Sequence, residues 1–251
     1  VSLQSMCNTR TEDVPSTLAQ LTALKEEGAD IGRLAVPDRE AAQALPMLVQ
    51  HSPLPLVADI HFDFRLALAA IRAGIAGLRV NPGNIGSADR LRQVAAAAKD
   101  AGIAIRVGVN GGSLEKDIQA KYGGATAEAL CESALRQAEL LEDMGFSAIK
   151  LSLKSSHLPT MLAANRMVSR LCDYPLHIGV TETGRPGRGS LKSAIGIGAL
   201  LSEGIGDTLR VSLTADPLEE VRLAREILSV LGLRAGGWEL ISCPTCGRTS
   251  L

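Results

Sequence analysis

The sequence predicts an α/β barrel of eight strand–helix units, and three observations point there. Short β-rich runs alternate with helical patterns along the chain, which implies parallel strands joined by helical crossovers. The chain has 251 residues, and such a barrel typically needs about 250. Apolar residues make up 46% but aromatics only 2%, so the core is aliphatic, as suits parallel strands buried on both faces.

The strands are expected at 1–6, 31–36, 55–61, 77–82, 104–110, 148–153, 176–182 and 208–214. Between them, Val14–Glu27 carries apolar residues at helical spacing and stops at Gly28. Asp38 and Asp63 open the second and third helices. An Ala-rich helix over 87–101 ends at Gly102, and one over 125–144 ends at Gly145. Helices over 158–171, 191–203 and 217–231 follow, the last with Asp216 as N-cap and Pro217 at its first position. After the fifth strand, 113–124 adds a further short helix or lid. An open doubly wound sheet is the competing architecture, but no G-x-G-x-x-G follows the first strand.

Charge and composition exclude several function classes. The net charge is −1, so no global field attracts nucleic acid or an anionic membrane. Aromatic platforms for single-stranded nucleic acid are missing as well. No apolar run approaches a membrane span, and the N-terminal VSLQSMCNTR has no signal-peptide pattern. A cytoplasmic protein is expected. Five cysteines, an odd number, argue against a disulfide framework. Cys131 and Cys172 sit in apolar helical stretches and read as core.

Alternate residues of a strand face the same way, and the polar residues inside these strands follow that period. Asp59 pairs with His61, Arg79 with Asn81, Arg106 with Asn110, Lys150 with Ser152, and Arg210 with Ser212 and Thr214. Arg33 and Glu182 fit singly. Their neighbours, such as Ile60, Leu78, Val107, Leu151 and Val211, are apolar and belong against the helices. The polar set therefore points into the barrel near the C-terminal strand ends, where barrel enzymes place active sites. Any one of these groups could be a satisfied core residue. Together, Arg33, Arg79, Arg106, Lys150 and Arg210 would face only Asp59 and Glu182. Unpaired buried cations are costly, so the cluster calls for an anionic ligand, and guanidinium groups suit phosphate oxygens. The Gly-rich, basic 184–194 adds a phosphate-loop candidate ahead of a helix. His61 beside Asp59 is an oriented acid or donor.

The tail carries Cys243-Pro-Thr-Cys246-Gly-Arg after the glycines of 232–237. This C-x-x-C can ligate zinc, join an iron–sulfur cluster or act as a redox dithiol. Two thiolates complete neither metal site, and no second such pair is present.

The strings VADIHFDFRLAL, LRVNPGNIG, RVGVNGGSLEKDI, LHIGVTETG, KSAIGIGALLSEGIGDTLRVSLTADP and ISCPTCGRT resemble the bacterial 4-hydroxy-3-methylbut-2-enyl diphosphate synthases. The resemblance runs along the whole chain. It implies a barrel over 1–231, followed over 232–251 by a linker and the start of an iron–sulfur domain. It also implies reductive ring opening of 2-C-methyl-D-erythritol 2,4-cyclodiphosphate in isoprenoid biosynthesis, with two electrons consumed and water lost. A 4Fe–4S cluster would deliver the electrons from flavodoxin or ferredoxin. Cys243 and Cys246 match two cluster ligands, and the other Cys and the Glu are expected beyond residue 251. By the same carry-over, Arg33, Arg79, Arg106, Lys150 and Arg210 hold the diphosphate. Asp59, His61, Asn81, Asn110 and Ser212 position the ring, and Glu182 is the carboxylate placed to donate a proton or stabilise developing positive charge. A head-to-tail homodimer is implied, one subunit's cluster covering the other's mouth. Two other readings stay open on the residues alone. One is a non-redox barrel enzyme for a pterin or sugar phosphate with CPTCGR as a zinc half-site; the other is a non-catalytic phospholigand-binding module.

Overall fold

The computed structural model describes residues 1–85, 87–236, 241–243 and 245–246. Eight strands form one parallel sheet: β1 (Ser2–Met6), β2 (Ile31–Ala35), β3 (Leu56–Asp59), β4 (Gly77–Val80), β5 (Ala104–Asn110), β6 (Ile149–Lys154), β7 (His177–Ile178) and β8 (Thr208–Leu209). The order is β6-β5-β4-β3-β2-β1-β8-β7. The two ends approach through a parallel bridge between Leu151 and Leu176, with Leu151 N–H donating to the Pro175 carbonyl at 2.9 Å. The sheet thus closes into a barrel.

Nine α-helices surround it among the described residues: α1 (Val14–Glu27), α2 (Arg39–His51), α3 (Phe64–Arg72), α4 (Ala88–Asp100), α5 (Lys116–Tyr122), α6 (Ala127–Glu142), α7 (Leu158–Leu171), α8 (Arg188–Ser202) and α9 (Pro217–Val230). The caps lie where the short polar residues are. Asp13, Asp38, Asp63 and Asp216 each accept a first-turn N–H of α1, α2, α3 and α9. Gly28 ends α1 in the left-handed region, at φ 106°. Apolar strand residues that alternate with the polar set, including Ile60, Leu78, Val80, Val107, Leu151 and Val211, are buried against these helices.

The last two strands differ from expectation. β7 and β8 are two-residue strands where seven-residue runs were expected. Beyond Ile178 the chain leaves the ladder: Gly179 takes φ 157° and Glu182 φ 52°. The Thr183 hydroxyl then donates to the Ser212 carbonyl, and Thr214 N–H to the Gly184 carbonyl at 2.9 Å, so the two segments stay joined by turn contacts instead. α5 is the short helix expected after β5, and it is clamped to α6. Arg136 of α6 bonds Asp117 at 2.6 Å, Glu132 takes Lys121 and the Tyr122 hydroxyl at 2.6 Å each, and Glu115 takes Ser133 at 2.6 Å.

At the end of α9, Arg234 donates to the Gly28 carbonyl at 2.9 Å and pairs with Asp30 at 2.5 Å. The other Asp30 oxygen accepts Leu3 N–H at 2.8 Å. Half of the linker and iron–sulfur segment expected over 232–251, namely 237–240, 244 and 247–251, lies outside the described residues.

Candidate active site at the barrel mouth

The strand register explains which side chains meet. Asp59 of β3 lies beside Arg79 of β4, Arg79 beside Arg106 of β5, and Arg106 beside Lys150 of β6. Barrel strands tilt by about 36° to the axis, so this rung winds from one end of the barrel to the other. Arg79 lines a cavity at the C-terminal mouth with Arg33, Gly108, Asn110, Ser152, Lys154, Thr181, Arg210 and Ser212. Arg106 lines that cavity and also a second one at the floor. Lys150 lines only the floor cavity, among the strands' N-terminal ends. The cation that β6 presents to the mouth is therefore Lys154, two inward-facing positions further along.

At the mouth, Asp59 is the hub. Its Oδ2 accepts from Arg33 Nη2 at 2.6 Å and its Oδ1 from Arg79 Nη1 at 3.1 Å. His61 Nε2 stands 3.6 Å from Oδ1 and 3.2 Å from Arg79 Nη1. The Asp59 side chain is 3% exposed and that of His61 56%, so the histidine is at the rim. Burial alone would raise the Asp59 pKa, but Arg33 and Arg79, joined by His61, outweigh it and bring it down to about 2. Asp59 is thus a fixed carboxylate that aims two guanidinium groups.

Arg210 has a carboxylate that sequence reasoning missed. Glu220 of α9, 4% exposed, bonds Arg210 Nη2 at 3.4 Å and accepts Leu213 N–H at 2.8 Å. Burial raises its pKa, against the pull of Arg210. Arg106 differs: its Nη1 donates to Gln4 at 3.2 Å, its Nε has no partner, and among the described residues no carboxylate lies within ion-pair distance. Burial, then Arg33 and Arg79, push its pKa well down. Lys154 is pushed well down as well, by burial and then by Arg106, Arg210, Arg33 and Arg79. Five basic side chains face two carboxylates, and each disfavours its neighbours' charge. An anion entering the mouth would offset the repulsion among them and give the buried cations a partner.

Two glycines make the space. A Cβ on Gly108 would sit 2.9 Å from Arg79 Nε, so that guanidinium lies across bare backbone. A Cβ on Gly179 would overlap the Arg210 carbonyl oxygen and sit 3.1 Å from Lys154 Nζ.

The remaining expected residues divide. Ser212 lines the mouth. Asn110 lines it too, and its Oδ1 caps the following turn at Gly112 N–H, 3.1 Å away. Asn81 is buried, and its Oδ1 likewise caps Gly83 N–H at 3.0 Å. Glu182 is exposed, and among the described residues it makes no hydrogen bond or ion pair; the turn after β7 carries it out of the lining. Cys243 and Cys246 are exposed.

A family model, the GcpE TIM-barrel domain, matches residues 1–225. The chain belongs to that family. A GcpE-family relative from Maridesulfovibrio salexigens, a 4-hydroxy-3-methylbut-2-en-1-yl diphosphate synthase (flavodoxin), is 56% identical over 251 residues, covering all of this chain and 70% of that protein. One of the same name from Geobacter sulfurreducens is 54% identical over 250 residues, covering 100% of this chain and 71% of that one. Among solved structures, dihydropteroate synthase from Xanthomonas albilineans superposes with a TM-score of 0.64 at 18% identity, covering 92% of this chain and 91% of that one. The Thermus thermophilus enzyme gives 0.63 at 19%, over 92% and 93%. At that identity the likeness shows the GcpE barrel's fold alone.

Proposed function

We infer that the chain is the substrate-binding barrel of a 4-hydroxy-3-methylbut-2-enyl diphosphate synthase. Its substrate is 2-C-methyl-D-erythritol 2,4-cyclodiphosphate, opened and dehydrated in the methylerythritol phosphate route to isoprenoids. The observation that carries this reading is the mouth itself: Arg33, Arg79, Arg106, Lys154 and Arg210 converge on one cavity against Asp59 and Glu220. Two phosphates match that excess, and the relatives' shared name supports the reaction.

The residues divide the work by height. The buried cations take the diphosphate, and Asp59 keeps Arg33 and Arg79 in place for it. Asn81 and Asn110 shape the turns beside it. Ser212 offers a hydroxyl in the lining. The carbon ring then lies toward the rim, where His61 and Glu182 are the exposed groups able to hold or donate a proton. Glu182 reaches the ring in this reading only once substrate or a covering segment meets the rim.

Reduction consumes two electrons, with flavodoxin or ferredoxin as donor and an iron–sulfur cofactor as carrier. The described residues offer that cofactor Cys243 and Cys246, and they gather no group of three or more potential metal ligands. The barrel's other thiols are held back by burial, which raises Cys7 to about 12 and Cys131 to about 11. These residues alone do not complete a cluster site. A head-to-tail homodimer is supported by the path of α9, which returns from the mouth and delivers the chain to the opposite end, where Arg234 anchors it. No helix among the described residues is long and apolar enough to cross a membrane, and a cytoplasmic enzyme is part of the proposal.

The test is calorimetry of the cyclodiphosphate and of inorganic pyrophosphate with the barrel. Both should bind, and Glu182→Gln should leave affinity intact while lowering kcat far more than it raises KM in the assembled enzyme. Absence of binding by either ligand would overturn the assignment.

A further inference from the structure

The floor of the barrel holds a second cavity, of about 130 Å3, lined by Gln4, Ile31, Val57, Leu78, Arg106, Lys150 and His177 among others. It has room for several waters, and the mouth chemistry makes no use of it. Its polar lining is donor-rich. His177 is 1% exposed, meets Thr208 Oγ1 through Nδ1 at 2.8 Å, and leaves Nε2 without a partner. When Thr208 donates to Nδ1, Nε2 carries the hydrogen and is a donor. Arg106, 6% exposed, leaves Nε without a partner. Lys150, partly buried, adds an ammonium group; Asp207 is the carboxylate that acts on it, from beyond ion-pair distance. Gln4 Oε1, the acceptor side of the lining, already takes Arg106 Nη1 at 3.2 Å. Buried donors without acceptors are costly; His177 Nε2 and Arg106 Nε are two such donors on one space, and the partly buried Lys150 adds its charge beside them, so the cavity calls for a ligand that accepts.

We propose that this floor cavity is a binding site for a monovalent inorganic anion of the halide class, held by Lys150, His177 Nε2–H and Arg106. The aliphatic walls of Ile31 and Val57 favour a small, weakly hydrated ion over phosphate, which needs donors on every side. The anion shields Arg106 from below and so lowers the repulsion between that residue and the mouth cations. The site does not depend on the reaction assigned to the mouth.

Two measurements test it on the 251-residue chain. The first is bromide soaked into crystals, read by anomalous scattering. A peak within hydrogen-bond distance of Lys150 Nζ and His177 Nε2 is expected, while a peak only at the mouth, or none, overturns the proposal. The second is thermal melting in sodium chloride against sodium gluconate at equal ionic strength, with the mouth saturated by inorganic pyrophosphate. Chloride at tenfold its Kd should raise Tm by about 3–6 °C, and Lys150→Met should abolish the increment. An equal rise in the variant, or no rise in the parent protein, overturns it. If Lys150→Met does not fold, the crystal measurement on the unaltered protein decides alone.

Discussion

Arg33 Nη2 donates to Asp59 Oδ2 at 2.6 Å across adjacent strands, and both side chains are nearly sealed from solvent. The pair is the rigid point about which the mouth is arranged, because the other Asp59 oxygen holds Arg79.

Asp59 should govern acid sensitivity. Its folded pKa, about 2, lies below the ordinary carboxylate value, so its contribution to stability is full above about pH 4 and disappears as pH falls toward 2. The loss is about 2 kcal/mol. Asp59→Asn should lack that portion of the acid transition and be destabilised near neutrality by about 3 kcal/mol, since two buried cations lose their partner. Urea melts between pH 2 and 7 measure both.

Arg106 and Arg210 should separate binding from folding. Either one changed to Ala should weaken pyrophosphate binding by roughly 1.5–3 kcal/mol. Arg106→Ala relieves repulsion and should leave stability unchanged or higher, whereas Arg210→Ala strands the buried Glu220 and should cost about 3 kcal/mol. Equal stability losses in the two variants would contradict this charge arrangement.

The glycines give a third contrast. At Gly108 the obstacle is the flexible end of Arg79, so Gly108→Ala should fold normally and bind pyrophosphate about tenfold more weakly. At Gly179 the obstacle is the Arg210 backbone carbonyl. Gly179→Ala should therefore fail to accumulate as folded protein, as judged by circular dichroism and gel filtration.

The thiols give a fourth. Anaerobic reconstitution of the 251-residue chain should yield well under the four irons of a complete 4Fe–4S cluster, because burial withholds Cys7 and Cys131 and raises the pKa of the half-buried Cys172. The Cys243→Ser and Cys246→Ser variants should melt at the same temperature as the parent. Four irons per chain, with measurable turnover, would show that these residues complete their own site.

Period two told which strand residues face inward, and Arg33, Asp59, Arg79, Arg106 and Arg210 were legible for that reason. It could not tell height along the axis, which depends on tilt and register; hence Lys150 was expected at the mouth and lies at the floor. Lys154 continues the same alternation by two steps and was recoverable, had β6 been carried one residue further. His177 was recoverable likewise, from its alternation with Gly179 and Thr181. Glu220 gave no such signal, since a glutamate in the first turns of a helix ordinarily marks solvent and a favourable helix dipole. Glu182 falls outside the lining because it has the opposite parity to His177 and Thr181, and the backbone turns at Glu182 itself.

Asp30 joins the two ends of the barrel with one carboxylate: one oxygen on Leu3 N–H, the other on Arg234. The first strand and the last helix therefore finish side by side, and the order in which the eight units are threaded is not dictated by the packing. A short Gly/Ser bridge from residue 234 to residue 2 should permit circular permutation. A new opening between Gly123 and Gly124, both at positive φ with open space around them, would place the new termini at the end of α5, where no side chain has to be moved aside.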